Sequence, residues 1–206
     1  MIPILKVIAA SLKKFFTRTI TAGDPYWDNV VLNMRMETSD PYWDKKVLGL
    51  HCDGTNGSTT FTDVKGKTVT ANGNAQISTA QYPALTGKVS SAYFDGTGDY
   101  LSIPDSTDWA FGAGDFTLRA KIRLTAYATL NGGNYVACII SQHVASQHSF
   151  ILYILGTSTS YTTISFDGYD SAPSNTTINA TYNFSLNTWY DIECCRNGNL
   201  IYIFVD

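Results

Sequence analysis

Carboxylates are the side chains in this sequence with the clearest capacity for acid–base chemistry, and almost all of them are aspartates. Of the 17 acidic residues, 15 are Asp, and the two Glu are Glu37 and Glu193. Glycoside hydrolysis needs two carboxyl groups roughly 5–10 Å apart on either side of the scissile bond. No Glu-x-Asp-x-Glu run sets such groups along one strand, and we expect Asp191 and Glu193 to lie on opposite faces of a strand and not to converge. No Gly-x-Ser-x-Gly nucleophile motif occurs either, so the sequence predicts no catalytic residues and no enzymatic activity.

Three aspartates stand in Gly-rich turns and are candidate ligands for a metal ion. Asp95 and Asp99 share the turn Asp-Gly-Thr-Gly-Asp, and Asp53 precedes Gly54. Ca²⁺ takes about six to eight oxygen ligands from carboxylates and carbonyls, and this turn alone supplies too few. Capping of the turns by Asx-type hydrogen bonds is therefore the favoured interpretation, and Ca²⁺ binding is the alternative.

Aromatic side chains in turn-rich segments are candidates for stacking on a sugar ring. A carbohydrate site combines an apolar surface with a few placed polar groups. The candidate carbohydrate-binding residues are Trp109, Tyr161, Tyr169, Asp167 and Asp170. Packing in the core is the commoner role of such rings, and that interpretation stays open for each of them.

The elements that must position these side chains are short strands joined by tight turns. Asn72-Gly73 is a strong hairpin signal, and residues 116–124 alternate apolar and polar side chains. The predicted strands are residues 47–52, 59–63, 68–71, 91–94, 100–103, 116–124, 136–141, 150–155, 162–166, 188–194 and 200–205. Such a series predicts an all-β, antiparallel jelly-roll β-sandwich. The four cysteines lack metal-ligand spacing, and we expect free thiols.

The first 22 residues differ from the rest in charge and periodicity. Residues 1–20 carry four basic residues and no acid, whereas the remainder carries 10 basic and 17 acidic residues. At about 100° per residue, the apolar side chains gather on one side of a helix. These side chains are Ile4, Leu5, Ile8, Leu12, Phe15 and Phe16. Residues 1–22 are therefore predicted to form a basic amphipathic helical arm.

Several roles are open for this arm. The favoured role is an assembly arm that docks on a larger partner through its apolar face. A signal peptide would need an uninterrupted apolar stretch, which Lys6 breaks. Binding to an anionic membrane surface is less favoured, and packing on the chain's own domain is the remaining alternative. The net charge of −3 argues against nucleic acid as a partner.

A short tandem repeat separates the arm from the body of the chain. Asp-Pro-Tyr-Trp-Asp occurs at residues 24–28 and again at residues 40–44. Asp-Pro starts a turn, and Tyr-Trp supplies a large apolar anchor. We interpret each copy as the lead-in to a strand within a linker of residues 23–45, which precedes a domain of residues 46–206. These aromatic anchors could also bind a neighbouring chain; they are Tyr26, Trp27, Tyr42 and Trp43.

Motifs within residues 46–206 resemble a laminin-G-like domain of the concanavalin A-like lectin/glucanase class. The central signature of that family is similar to Ser-Ala-Tyr-Phe-Asp-Gly-Thr-Gly-Asp-Tyr-Leu at residues 91–101. The other resembling segments are residues 50–58, 61–63, 114–118, 189–190 and 196–206. The resemblance implies a two-sheet jelly roll, and calcium is bound by several members. The Asp-Pro-Tyr-Trp lead-in is similar to versions of the module in bacteriophage structural proteins.

The expectation from the sequence is a non-enzymatic structural or adhesion protein of a virion, such as a tail, fibre or decoration protein. The arm would dock on other virion proteins or on copies of this chain, and the jelly roll would contact host-surface glycans. The alternative is a free secreted or cell-surface lectin, with or without Ca²⁺. In the resembling family further strands follow the late hairpin. We therefore expect an open sheet edge that another chain or the N-terminal repeat fills, unless the sequence is truncated.

Overall fold

The computed structural model describes residues 30–32, 43–84, 87–127, 130–131, 134–144, 147–169 and 175–206. Over these residues the chain is all-β, as predicted, with short 3-10 turns at Trp43–Lys45 and Thr107–Trp109. The strands are β1 (Val30–Leu32), β2 (Thr70–Asn72), β3 (Gln76–Ser78), β4 (Ser91–Tyr93), β5 (Tyr100–Ser102), β6 (Phe116–Arg123), β7 (Leu130–Asn131), β8 (Asn134–Val144), β9 (Gln147–Gly156), β10 (Tyr161–Tyr169), β11 (Asn175–Phe184), β12 (Trp189–Asn197) and β13 (Leu200–Val205). The predicted helical arm, Tyr26, Trp27 and Tyr42 lie outside the described residues.

Two large sheets contain most of the strands. One is an antiparallel meander in the order β11-β10-β9-β8-β7, and the other has the order β1-β6-β12-β13. In the second sheet β1 runs parallel to β6, whereas β12 is antiparallel to both β6 and β13. The chain leaves this sheet after β6, forms the whole meander, and returns at β12 beside β6. β1 follows the first copy of the tandem repeat, so this part of the linker pairs with the domain.

Alternating side chains place one hydrophobic core between the two large sheets. In β12, Ile192 is fully buried while its neighbour Asp191 is half-buried. The ring of Phe116 in β6 lies 5.4 Å from that of Phe166 in β10, and the Phe166 ring lies 6.4 Å from that of Phe150 in β9. Each fully buried side chain of this size stabilises the fold by about 1.5–3 kcal/mol. The sheets are therefore held face to face by apolar contacts.

The segments of residues 47–52 and 59–63 are not strands, so these two predictions are wrong. Within them only Leu50 and Asp63 form a β-bridge, to each other. The buried carboxylate of Asp63 instead accepts the Gly49 N–H at 2.6 Å and the Lys67 N–H at 2.9 Å. A side chain thus satisfies backbone donors that would otherwise need a neighbouring strand. The first segment buries Leu48, Leu50 and Cys52, and its backbone pairs only around the Leu50–Asp63 bridge, where the Val64 N–H donates to the Gly49 carbonyl at 3.0 Å.

The cysteines are free thiols, as predicted. Burial raises the pKa of Cys52 to about 11 and raises that of Cys194 well above its ordinary value, so both thiols stay protonated at neutral pH. Within the described part of the chain, no helix is long and apolar enough to cross a membrane.

Candidate functional site

Trp109 does not offer a ring on which a sugar could stack. It is only 7% exposed and lies at the end of the 3-10 turn that Ser106 caps. The indole N–H donates to the Pro104 carbonyl at 3.4 Å, and Lys67 Nζ lies 5.1 Å from the ring centroid. The ring therefore anchors this turn to the core, and its assignment as a sugar platform is corrected.

Tyr161 is likewise a core residue, with 2% of its surface exposed. Its ring packs against that of Tyr127, with 5.4 Å between the centroids. The register of β10 shifts between Tyr161 and Thr163. Such an irregularity changes which side chains point inward, and here Tyr161 points into the core. No face of this ring is open to a ligand, so this assignment is also corrected.

Asp167 lies apart from these two rings. Its neighbour Phe166 is buried, so the carboxylate points away from the core. Asp167 Oδ2 accepts the Tyr153 O–H at 2.9 Å, whereas the buried Oδ1 has no hydrogen-bond partner. Tyr169 ends β10, and Asp170 lies outside the described residues. The structure does not bring Trp109, Tyr161 and Asp167 together.

The candidate calcium ligands fall into two separate groups. Asp53 Oδ2 accepts from Lys88 Nζ at 2.6 Å and lies 3.3 Å from His51 Nδ1. Asp95 and Asp99 lie in a different turn and contact each other. Among the described residues, no group of three or more His, Cys, Asp or Glu side chains could hold a metal ion.

Asp95 and Asp99 cap their turn, which confirms the favoured interpretation of their role. Asp99 accepts the Asn74 N–H at 2.7 Å through Oδ1 and the Asp95 N–H at 2.9 Å through Oδ2. Asp95 accepts the Thr97 N–H at 2.7 Å through Oδ1 and the Asn74 Nδ2–H at 3.0 Å through Oδ2. Each of the four carboxylate oxygens therefore accepts an N–H group.

These hydrogen bonds join two turns into what we call the aspartate corner, comprising residues 72–75 and 94–99. The β2–β5 ladder enters it from one side and the β3–β4 ladder from the other. Gly73 has φ of +69°, and a Cβ there would lie 2.3 Å from Asp99 Oδ1 and 2.9 Å from the Gly98 oxygen. Glycine is required at Gly73, because a side chain would displace the capping carboxylate.

Three exposed aromatic side chains border the aspartate corner. Tyr93 and Phe94, just before Asp95, are 43% and 42% exposed, and Tyr100, just after Asp99, is 57% exposed. Single exposed apolar residues are ordinary, but grouped ones mark interaction surfaces. These three rings lie within two residues of the capping aspartates, so apolar surface and negative charge occur side by side.

Cross-strand neighbours add amide groups beside two of these rings. Tyr93 is opposite Gln76 in the β3–β4 ladder, and Tyr100 is opposite Asn72 in the β2–β5 ladder. Asn72 Nδ2 donates to Ser102 Oγ at 3.0 Å, which fixes the orientation of that amide. Directly opposed side chains lie on the same face of a ladder. Each tyrosine therefore has an amide beside it.

Asp191 and Glu193 lie on the same side of β12, and thus closer than we expected. They flank the buried Ile192, and residues two apart on a strand are separated by about 6–7 Å. That spacing is within the range of glycosidase carboxyl pairs. Asp191 Oδ2, however, accepts from Lys121 Nζ at 2.5 Å. The ion pair engages this carboxylate, so the pair does not present two free carboxyl groups.

A shallow, open cleft lies beside β4. Ser91, Trp189 and two lysines are among the residues that line it. Lys88 donates to Asp53, and Lys121 donates to Asp191. Because both cations are already paired, the cleft offers little net charge to a ligand.

The aromatic residues of the corner are the ones that sequence reasoning missed. The signal was present, since Tyr93, Phe94 and Tyr100 directly flank the Asp-Gly-Thr-Gly-Asp turn. These residues belong to the motif that resembles the laminin-G-like family, and the predicted sugar-binding rings lie elsewhere in the sequence. The sequence does not show that these side chains are exposed, because their exposure depends on how the two ladders pack on the rest of the domain.

No protein-family model matches the chain, and neither a curated protein nor a solved structure is significantly similar to it. The resemblance to laminin-G-like domains therefore rests on the motifs in residues 46–206. The class defined by fold and site is broader: an all-β protein with two facing sheets and an exposed aromatic corner.

Proposed function

We propose that this chain is a non-enzymatic binding protein whose β-domain contacts carbohydrate at the aspartate corner. The observation that carries the proposal is the exposure of Tyr93, Phe94 and Tyr100 around a turn that two carboxylates and neighbouring amides hold in place. Sugars have apolar C–H faces that stack on aromatic rings and hydroxyl groups that bond to carboxylates and amides. The corner presents both kinds of group within a few residues.

The hydrogen bonds within the corner favour binding because they order it before a ligand arrives. Ordering side chains on binding costs about 0.5–1.5 kcal/mol for each flexible group, and a preformed turn avoids part of this cost. A carboxylate oxygen has two lone pairs. The oxygens of Asp95 and Asp99 can therefore accept a sugar hydroxyl while they keep their N–H partners.

The finer fold class is also part of the proposal. We infer that the domain is a jelly roll of the laminin-G-like type. The two facing sheets and the long excursion between the adjacent strands β6 and β12 support this class. The resembling motif of residues 91–101 spans most of the aspartate corner, which links the resemblance to the binding proposal.

The arm and the tandem repeat extend the proposal to a virion-associated structural or adhesion protein. In this arrangement the arm of residues 1–22 attaches the chain to other virion proteins or to copies of itself. The jelly roll then projects outward, where the corner meets host-surface glycans. A free secreted lectin with the same corner is the second candidate, and the role of the arm distinguishes the two.

The carbohydrate proposal is tested by binding of the full chain to an immobilised glycan panel. We expect Tyr93→Ala and Tyr100→Ala each to weaken binding about tenfold, since one aromatic stacking contact contributes about 1–3 kcal/mol. Tyr82→Ala is the matched control, because Tyr82 is 44% exposed but lies outside the corner. Equal losses in all three variants, or no glycan bound by the unmodified chain, would refute the proposal.

The assembly proposal is tested by light-scattering mass after size exclusion. Deletion of the first 39 residues would also remove β1, so point variants of the full chain are the better probe. We expect the unmodified chain to form oligomers and Ile8→Lys with Leu12→Lys to give monomers. Lys13→Gln, on the polar side of the predicted helix, should leave the mass unchanged. A monomeric unmodified chain would favour the free lectin instead.

A further inference from the structure

We propose that the aspartate corner selects uncharged saccharides and binds them without a metal ion. This inference rests on the proposed carbohydrate-binding function and goes further by naming the class of ligand. It follows from the negative charge of the corner and from the N–H groups that already bond to the carboxylate oxygens of Asp95 and Asp99.

The charge at the corner has a single sign. Residues 70–78 and 91–102, which form the two ladders and both turns, contain Asp95 and Asp99 and no Lys, Arg or His. A sialylated or sulfated glycan would therefore bring its own negative charge towards two carboxylates. Two like charges about 7 Å apart in water weaken binding about threefold, so the two aspartates together weaken it about tenfold at low salt.

Uncharged saccharides experience no such repulsion. Their hydroxyl groups are donors, and carboxylates are acceptors that form stronger hydrogen bonds than neutral oxygens do. Asn72 and Gln76, beside the exposed tyrosines, add amide groups that carry no charge. The same two carboxylates that repel an acidic glycan therefore favour a neutral one.

The number of available ligands also argues against a metal ion as part of this site. Every carboxylate oxygen of Asp95 and Asp99 accepts an N–H from Asn74, Thr97 or the Asp95 backbone. Ca²⁺ needs about six to eight oxygen ligands, and two carboxylates fall short of that number. The turn is ordered by its own N–H groups, so binding does not require Ca²⁺.

The test is a panel of neutral oligosaccharides, each paired with its sialylated or sulfated counterpart. We expect the full chain to bind the neutral member about tenfold more tightly at low salt, with a smaller difference at high salt because added ions screen the repulsion. Addition of EDTA or of Ca²⁺ should leave both affinities unchanged.

A matched pair of variants isolates the charge. Thr97 is exposed and contributes only its backbone N–H to the corner, so its side chain can be replaced without loss of a hydrogen bond. Thr97→Lys should improve binding of the acidic member about threefold relative to the neutral one, whereas Thr97→Gln should leave the ratio unchanged.

The outcomes separate this inference from the function on which it rests. Tighter binding of acidic glycans, or binding lost in EDTA and restored by Ca²⁺, would overturn the inference while the carbohydrate function stood. If the unmodified chain bound no member of the panel, the proposed function would fail and the inference with it.

Discussion

The turn at Thr107–Trp109 and the aspartate corner combine the same kinds of side chain and differ in what they leave exposed. At the first turn, Lys67 donates to the Asp108 carboxylate and lies over the Trp109 ring, which is 7% exposed. At the corner, backbone and amide N–H groups bond the carboxylates. The rings beside them remain 42–57% exposed.

The comparison shows that the type of group bonded to the aspartate determines whether the turn packs in the fold or stays open to a ligand. Where a lysine forms an ion pair with the carboxylate, it neutralises the negative charge and also lies over the aromatic ring. Such a turn stabilises the domain. Where N–H groups bond to the carboxylate, as at the corner, its negative charge persists and no cation of the described residues lies over the neighbouring rings. The first arrangement suits packing, and the second leaves surface for a ligand.

The largest effect that separates the two regions is expected from Trp109→Ala. Loss of this buried ring should lower the free energy of unfolding by about 3–5 kcal/mol. Phe94→Ala at the corner should change it by about 0.5 kcal/mol or less, because an exposed ring has little packing to lose. Urea unfolding of the two variants measures both values. Similar losses in the two proteins would remove the distinction between a packing turn and a binding corner.

The next effect is expected from Gly73→Ala. This substitution should cost about 2–3 kcal/mol, since alanine is strained at φ of +69° and its Cβ would meet Asp99 Oδ1. Gly66→Ala is the control, because Gly66 has φ of +82° and nothing within 4 Å of an added Cβ. It should cost about 1 kcal/mol. Chemical denaturation measures the unfolding free energy of both variants. Equal costs would show that the corner accommodates a side chain at position 73 without loss of its hydrogen bonds.

A smaller effect is expected from Asp99→Ala. It leaves the N–H groups of Asn74 and Asp95 without their acceptor, which should cost about 1–2 kcal/mol in unfolding free energy. Asp53→Ala removes an exposed carboxylate that contacts the side chains of Lys88 and His51, and should cost about 1 kcal/mol or less. Thermal unfolding compares the two. A greater cost for Asp53→Ala would contradict the capping role of Asp99.

The smallest effect concerns pH at the packing turn. The hydrogen bond from Lys67, followed by that from Ser106, lowers the pKa of Asp108 below 3.8. A carboxyl group with a lowered folded-state pKa contributes stability that is present above its ordinary pKa and is lost as pH falls through the folded value. The side chain is 36% exposed, so solvent screening should keep the contribution under about 1 kcal/mol.

Melting temperatures measured across this acidic range test the pH prediction. The unmodified chain should lose stability more steeply than Asp108→Asn, which has no carboxyl group to protonate at this position. Parallel curves for the two proteins would mean that the Lys67–Asp108 contact adds nothing to stability.

Prediction from the sequence succeeded where local pattern dominates. The alternation in residues 116–124 and 200–205 gave β6 and β13 with bounds within one residue of the structure. It failed at β11 (Asn175–Phe184), which was not predicted because Thr and Asn obscure the alternation of Ile178, Ala180 and Phe184. Those apolar residues are buried because β10 pairs alongside and aligns them with its own inward side chains.

For the candidate site, local sequence was enough to predict the bonds from Thr97 N–H to Asp95 and from Asp95 N–H to Asp99, because these partners are two and four residues apart. The bonds to Asn74, 21 and 25 residues away, depend on how the two ladders meet. Exposure of the aromatic rings depends on the same long-range contacts. Trp109 is buried because it packs in the core and Lys67, 42 residues earlier, lies over its ring, whereas Tyr100 is opposite Asn72 of β2 and stays 57% exposed. Exposure is set by contacts between segments that are distant in sequence, and a local pattern does not contain that information.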